Sequence, residues 1–322
     1  MTIKELKILE MIEKGFSLNE ISEALNITYN QIYRYISIFS NNGYLFTRNY
    51  YYDGNIKYIK NDSLHLTNDV AIITPPNLDE LEFLIISDIH LSSSKERLDL
   101  LDSVYDYCIK NNIHLILIAG DMIDGFVGQL PRKFVTSHEQ IEYCIKTYPF
   151  DKSILNFLVL GNHDYSTLAF SGQDLGRALY NRRHDIVVTG YGEGKIHIKN
   201  DLILLRHPLK FIKTPSEIYN RTLIIKGHTH RSKIWTDYNN FIIYAPTLSD
   251  INNDGILPGA IYMKLDFLNG YIQKCCLKNL TYFNNKFYET SNGEIYFNGK
   301  PFRGNGDIKY EEKFQRILQK ER

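Results

Sequence analysis

Apolar residues recur along the first forty positions at the spacing of a helix face. In "IKELKILEMIEKG", Ile3, Leu6, Leu9 and Ile12 lie three apart, and Gly15 ends the run. "SLNEISEALN" opens on Ser17 with Glu20 three residues later, and "TYNQIYRYISIFSNNG" opens on Thr28 with Gln31; both are capping-box patterns. The stripe of the third segment is Ile32, Tyr35, Ile36 and Phe39, and Gly43 stops it. The pattern then switches to alternation in "YLFTRNYYYDGNIKYIK", with a turn at Asp53-Gly54, which predicts a hairpin. A short second helix, a tight turn and a longer third helix predict a helix-turn-helix. The polar stretch "LTNDVAIITPPNLDE", with Pro75 and Pro76, reads as a linker.

From Leu81 onward, apolar strands alternate with helical segments. "LEFLIISDIHL", "HLILIAGD" and "ILNFLVLGNHD" read as strands. "KERLDLLDSVYDYCIKNN" reads as a helix with Leu98, Leu101, Tyr105 and Cys108 on one side, and "HEQIEYCIKTY" as another. "DIVVTGYG", "KIHIKNDLILLRHP", "TLIIKGHTH", "FIIYAPTLSD" and "GAIYMKLDF" are nearly all strand. The fold class expected is an α/β core followed by a more β-rich half. The last segment carries a hairpin expected in "NGEIYFNGK" and a charged final helix.

Composition changes this picture little. The chain has 322 residues, 43% hydrophobic and 23% charged, which leaves room for two domains. Its formal net charge is zero, so any affinity for nucleic acid or anionic membrane must be local. The N-terminus, "MTIKELKILEMIEKG", lacks the apolar core of a signal peptide, and no window approaches a bilayer span. Cys108, Cys144, Cys275 and Cys276 form no CxxC pair, which argues against a disulfide framework or a zinc knot. A reduced, cytoplasmic protein that makes no membrane contact is expected.

The chemistry gathers where apolar strands stop. Asp88 and His90 follow one strand, Asp121 a second, Asn162, His163 and Asp164 a third, His207 a fourth, and His228 and His230 a fifth. The carboxyl ends of strands in an α/β sheet share an edge, where ligands bind. Carboxylate, imidazole and amide oxygen are all ligands for a divalent transition metal. In Asp88-x-His90 and His228-x-His230, residues two apart on an extended segment face the same way. His197 and His184 compete with His207 for its place. Asp124 either orients a ligand or caps the next turn.

"DIH", "GDMID", "GNHD", "RHP" and "GHTH", in this order, resemble the signature of the calcineurin-like metallophosphoesterases. The resemblance covers about Leu81 to Leu280. It implies a β-sandwich flanked by helices in four layers, α/β/β/α. It also implies a two-metal centre, with Asp88, His90, Asp121 and His230 around one ion and Asp121, Asn162, His207 and His228 around the other. Asp121 would bridge. His163 would face the substrate as a proton donor or transition-state stabiliser, oriented by Asp164. Such ions neutralise the phosphoryl oxygens and activate water, and a general acid adds about 10²–10⁴-fold. Mn²⁺ is the expected metal, with Fe, Zn or Ni as alternatives. Gly125 after Asp124 and Asp164 at the end of "GNHD" depart from the Ser/Thr phosphatases and look more like the phosphodiesterase and nuclease branch.

The N-terminal part is similar in pattern to a winged helix-turn-helix domain. The expected organisation is a winged helix over 1–70, a linker over 71–80, the metallophosphoesterase domain over 81–285 and a C-terminal extension over 286–322. A winged helix beside a phosphodiesterase site suggests nucleic acid, with Gln31, Arg34, Arg48, Lys57 and Lys60 as candidate DNA contacts. Its alternatives are docking on a protein or homodimerisation. The expected function is a two-metal phosphodiesterase or nuclease acting on DNA or nucleotides. A DNA-binding regulator with a secondary phosphoesterase domain, and a small-nucleotide phosphatase or cyclic-nucleotide phosphodiesterase, are the alternatives.

Overall fold

The structure is a computed structural model, and it describes residues 1–61, 69–128, 131–209, 222–237, 240–250, 257–297 and 303–304. The first elements are α1 (Ile3–Glu13), α2 (Leu18–Leu25), α3 (Tyr29–Asn41), β1 (Leu45–Tyr51), β2 (Ile56–Asn61) and β3 (Val70–Ile73). Next come β4 (Glu80–Ile86), α4 (Leu98–Lys110), β5 (Leu115–Ile118), α5 (Ser137–Thr147), β6 (Leu155–Leu160), α6 (Asn162–Ser171), α7 (Leu175–Arg182) and β7 (Ile186–Tyr191). The rest is strand: β8 (Glu193–Ile198), β9 (Asp201–Arg206), β10 (Leu223–Lys226), β11 (Lys233–Asp237), β12 (Asn240–Tyr244), β13 (Gly259–Leu268), β14 (Tyr271–Phe283), β15 (Lys286–Tyr296) and β16 (Arg303–Gly304).

Both expected capping boxes form. The Ser17 and Thr28 hydroxyls accept the N–H groups of Glu20 and Gln31, whose side chains accept from the cap backbone in return. β1 and β2 pair antiparallel around Asp53-Gly54, as the alternation predicts. The stretch expected to be a linker contains β3, which pairs parallel with β1 on one side and with β8 on the other. The N-terminal hairpin is thereby part of a larger sheet.

The described strands form two eight-stranded sheets, ordered β11-β12-β10-β9-β8-β3-β1-β2 and β16-β15-β14-β13-β4-β5-β6-β7. Alternation gives the second sheet two apolar faces. Phe83, Ile85, Leu115, Leu117 and Phe157 turn inward and join Ile203, Leu205, Ile225 and Ile243 of the first sheet in one core. Leu84, Ile86, Ile116, Ile118 and Leu158 turn outward beneath α4, α5 and α7. Ile8, Ile32 and Phe39 of the N-terminal helices belong to the inner core, and Tyr50 meets Phe157 edge-on at 6.0 Å. Of the four layers expected, the sandwich and the helices over the second sheet are present. No helix covers the outer face of the first sheet among the described residues.

β4 to β7 run parallel, as do β9, β10 and β12, so their carboxyl ends meet at one end of the sandwich. The three-helix unit docks at the other end. Tyr29 packs edge-on against Phe150 at 6.0 Å, Tyr33 stacks on His184 at 3.3 Å, and Glu23 pairs with Lys152 at 2.7 Å. Those partners all precede β6 or β7. Near the C-terminus the chain reverses at Asn284-Asn285, at φ 47° and 59°, and β15 pairs antiparallel with β16, as the hairpin expected in "NGEIYFNGK" requires. The expected final helix lies outside the described residues. Among the described residues no helix is long and apolar enough to cross a membrane.

Candidate metal centre

All seven expected metal ligands come together, and they come from both sheets. Asp88 and His90 follow β4, Asp121 follows β5 and Asn162 opens α6 after β6, all from the second sheet. His207 follows β9, and His228 and His230 follow β10, from the first. Asp88, His90, Asp121, His228 and His230 all have positive φ, between 49° and 76°. The ends of β4, β5 and β10 therefore leave through left-handed residues, a conformation that is costly for most side chains other than Gly or Asn and clusters at functional sites.

The donor atoms fall into two overlapping groups. In the first, Asp88 Oδ1 lies 3.2 Å from His230 Nε2 and 3.8 Å from His90 Nε2. In the second, Asp121 Oδ2 lies 2.9 Å from His207 Nε2, and Asn162 Oδ1 lies 3.1 Å from both His207 Nε2 and His228 Nδ1. Asp121 Oδ2 is also 4.0 Å from His90 Nε2, so this carboxylate joins the groups. Two donors each about 2.0–2.2 Å from one ion stand roughly 3 Å apart when their bonds are at right angles. The closest spacings match that geometry. Asp88 Oδ1 and His90 Nε2 are buried and have no hydrogen-bond partner, as expected of atoms reserved for a cation. The residues present fit a pair of metal ions.

The ring orientations agree. His207 Nδ1 lies 2.7 Å from the Ala119 carbonyl, which can only accept, so Nδ1–H donates to it and Nε2 points into the cluster. Burial alone would lower the His207 pKa, but the Asp121 carboxylate raises it to about 10. Burial would likewise raise Asp121, but His207 and then His163 and His90 hold it down at about 2. Asp88 is held well below the usual carboxylate range by His230 and His90, against the effect of its burial.

Two glycines make this proximity sterically feasible. A Cβ on Gly161 would stand 2.2 Å from Asp121 Oδ1, and one on Gly120, at φ 101°, 2.2 Å from His207 Nδ1.

His163 lies at the rim. Its backbone N–H donates to Asp121 Oδ1 at 2.9 Å, and its Nδ1 donates to the Asp124 carbonyl at 2.6 Å. Nε2 is left facing the cluster, 4.0 Å from Asp121 Oδ2. Burial, above all, lowers its pKa to about 4. The expectation that Asp164 orients this ring is corrected. The Asp164 carboxylate accepts the backbone N–H groups of Ile123 and Gly161, at 3.0 and 2.9 Å, and so ties the loop after β5 to the start of α6. Burial, then the Asp121 charge, push that carboxyl up to about 7.

Of the competing histidines, His197 pairs with Asp69 at the surface and His184 lies at the far end against Tyr33. Neither reaches the cluster. Asp124 is buried 3.8 Å from His90 Nδ1 and 2.9 Å from Arg132 Nε, behind the ligands rather than at a turn cap.

Supporting residues escaped the sequence reading. Gln140 of α5 is buried, accepts from Gly125 N and Ser92 Oγ, and donates to the Gly125 carbonyl, bracing two ligand loops at once. Thr247 Oγ donates to the Asp88 carbonyl at 3.0 Å. Their only sequence signal is a polar residue on an otherwise apolar helix face or strand end.

The candidate DNA contacts do not share one outward surface. The Gln31 side chain caps its own helix, Lys60 pairs with Glu13 at 2.7 Å, and Lys57 lies over the Tyr51 ring. Arg48 turns inward, with its guanidinium 3.9 Å from the centre of the Tyr180 ring. Arg34 is exposed on α3.

Comparison with known proteins gives a family match: residues 81–256 fit the calcineurin-like phosphoesterase model. No curated protein matches the sequence. Among solved structures the chain is similar to Yfce, a phosphoesterase from E. coli, at 15% identity and TM-score 0.42 over 66% of this chain and 98% of that one. It is similar to an archaeal phosphodiesterase at 15% identity and TM-score 0.38, over 62% and 100% of the two chains. It is also similar to the Pseudomonas putida nuclease MPE, at 15% identity and TM-score 0.32 over 59% and 86% of the two chains.

Proposed function

The chain belongs to the calcineurin-like phosphoesterase family and is a metal-dependent phosphoesterase, and we propose that it cleaves a phosphodiester of nucleic acid or a nucleotide. The observation that carries the proposal is the Asp121 carboxylate shared between two donor groups, with His163 Nε2 beside it. Asp88, His90, His230 and Asp121 would hold one divalent ion, and Asp121, Asn162, His207 and His228 the other. The mixed nitrogen and oxygen donors suit Mn²⁺ first, with Fe, Zn or Ni as alternatives. Bound there, the ions supply charge neutralisation and acidify water.

The chain's own residues complete the chemistry. The Asp124 carbonyl fixes the His163 ring, so that Nε2 is the atom that exchanges a proton with the leaving oxygen. Asp164 and Gln140 hold the ligand loops in register, and Arg132 balances the buried Asp124 charge.

The helix-turn-helix arrangement and hairpin support a winged helix as the N-terminal unit. A second reading gives this unit a docking role and the enzyme a small nucleotide substrate. It is favoured by the packing of Tyr29 and Tyr33 of α3 against Phe150 and His184, which engages part of the helix that would read DNA. The test is Mn²⁺-dependent hydrolysis of bis(p-nitrophenyl) phosphate beside the monoester, then of single- and double-stranded DNA, with Asp121→Asn as control. Diester and DNA cleavage, both lost in the control, support a nuclease. Diester cleavage without DNA cleavage supports the small-nucleotide reading. Preference for the monoester overturns the diesterase proposal.

A further inference from the structure

A cleft of about 580 Å³ lies between α3 and the end of α7, within the usual size of small-molecule sites. Asn30, Arg34, Ser37 and Ser40 of α3 form one wall. Tyr180, Asn181 and Arg182 form the opposite wall, with Arg48, Tyr58 and His184 at the back. No Asp or Glu is among its lining residues. Arg182 is paired with Glu142, but Arg34 and Arg48 have no carboxylate partner among the described residues.

Arg48 is held ready for an anion. Its Nη2 donates to the Tyr180 carbonyl at 3.2 Å, and Tyr58 and Tyr180 flank the guanidinium. Neutral groups position this charge without cancelling it. His184, for its part, is fixed by the stacked Tyr33 ring and by the Tyr58 hydroxyl 3.1 Å from its Nδ1. Guanidinium groups suit phosphate oxygens, and exposed aromatic faces suit a nucleobase.

A DNA duplex is a poor occupant. A reading helix must enter a groove about 12 Å wide between two phosphate backbones. Here Tyr180, Asn181 and Arg182 stand across from the polar face of α3. The cleft also opens at the end of the sandwich where β6 and β7 begin, while the metal ligands lie where the strands end. The six residues of β6 alone separate the two by about 20 Å.

We infer that this cleft binds a nucleoside phosphate, at a second site remote from the metal centre and bridging the N-terminal unit to α7. Its phosphate meets Arg34 and Arg48, and its base lies against the exposed Tyr180 ring. This site does not depend on which diester the metal centre cleaves.

The test is calorimetric titration of the full chain, stripped of metal with EDTA, using AMP, GMP, adenosine and inorganic phosphate as probes. One nucleotide is expected per chain, with adenosine and phosphate each binding about tenfold more weakly or worse. Arg34→Gln and Tyr180→Ala alter exposed side chains and should leave the ligand-free melting temperature unchanged. Each should weaken nucleotide binding about tenfold or more. The inference is overturned if neither nucleotide binds, if phosphate alone binds as tightly, if both variants bind like the wild type, or if binding requires added Mn²⁺.

Discussion

Two buried clusters of charge lie at opposite ends of the same strands. Before β7, Arg183 makes a two-pronged pair with Asp185 at 2.9 and 2.7 Å, and donates further to the carbonyls of Ile145, Tyr148 and Pro149. Charge there is matched one to one, and the guanidinium is surrounded by acceptors. Past β4 and β5, Asp88 and Asp121 crowd against imidazoles at 2.9–4.0 Å, on left-handed backbone, with buried donor atoms left unpartnered. The first cluster is closed and stabilises the fold as it stands. The second offers donor groups that could hold cations. The difference identifies a binding site more firmly than burial or charge alone, because both clusters are buried and both are charged.

Removing the shared carboxylate should break the open cluster most severely. Asp121→Asn is expected to lower metal-dependent diester hydrolysis by about 10³-fold or more and to reduce metal content, measured by steady-state rates and elemental analysis. The closed cluster should respond in stability instead. Arg183→Met leaves Asp185 buried without its partner and should cost about 3–5 kcal/mol in denaturant unfolding, with metal content per folded chain unchanged. Loss of metal in that variant would erase the distinction drawn between the two ends.

A milder change separates binding from proton transfer. His163→Asn should keep both ions and slow hydrolysis by about 10²-fold, less for substrates with good leaving groups. Loss of an ion would make His163 a ligand. The smallest effect concerns His184, whose neighbours are Tyr33, Tyr58 and Arg48. Burial first, and then Arg48, lower its pKa to about 3 in the folded chain. An unfolded histidine titrates near 6.5, so its contribution is intact above that pH and is lost as pH falls toward 3. At pH 5 the cost is about 2 kcal/mol, and His184→Gln should flatten the stability profile between pH 7 and 5 by that amount. An unchanged profile would mean that the ring titrates normally.

The sequence made the site far more legible than its surroundings. Asp88, His90, Asp121, Asn162, His207, His228 and His230 were each visible as a polar residue at the end of an apolar strand, and the structure brings them together. Capping boxes at Ser17 and Thr28 were legible because a cap is a local interaction. Non-local features were hidden. Nothing in Val70–Ile73 reveals that it pairs with both β1 and β8, since pairing depends on distant partners. The left-handed conformations of Asp88, His90 and Asp121 were invisible because Asp and His do not mark such turns as glycine does. The orienting role of Asp164 was implied by the family resemblance alone, and no local pattern could show that its carboxylate reaches the backbone of Ile123 and Gly161 instead.

The most direct test of the central claim needs no substrate. Electron paramagnetic resonance of the metal-free chain loaded with two equivalents of Mn²⁺ should show a spin-coupled pair, because one Asp121 carboxylate joins the two donor groups. In Asp121→Asn that coupled signal should vanish. Two isolated Mn²⁺ signals in the wild type, or saturation at a single ion, would contradict the account.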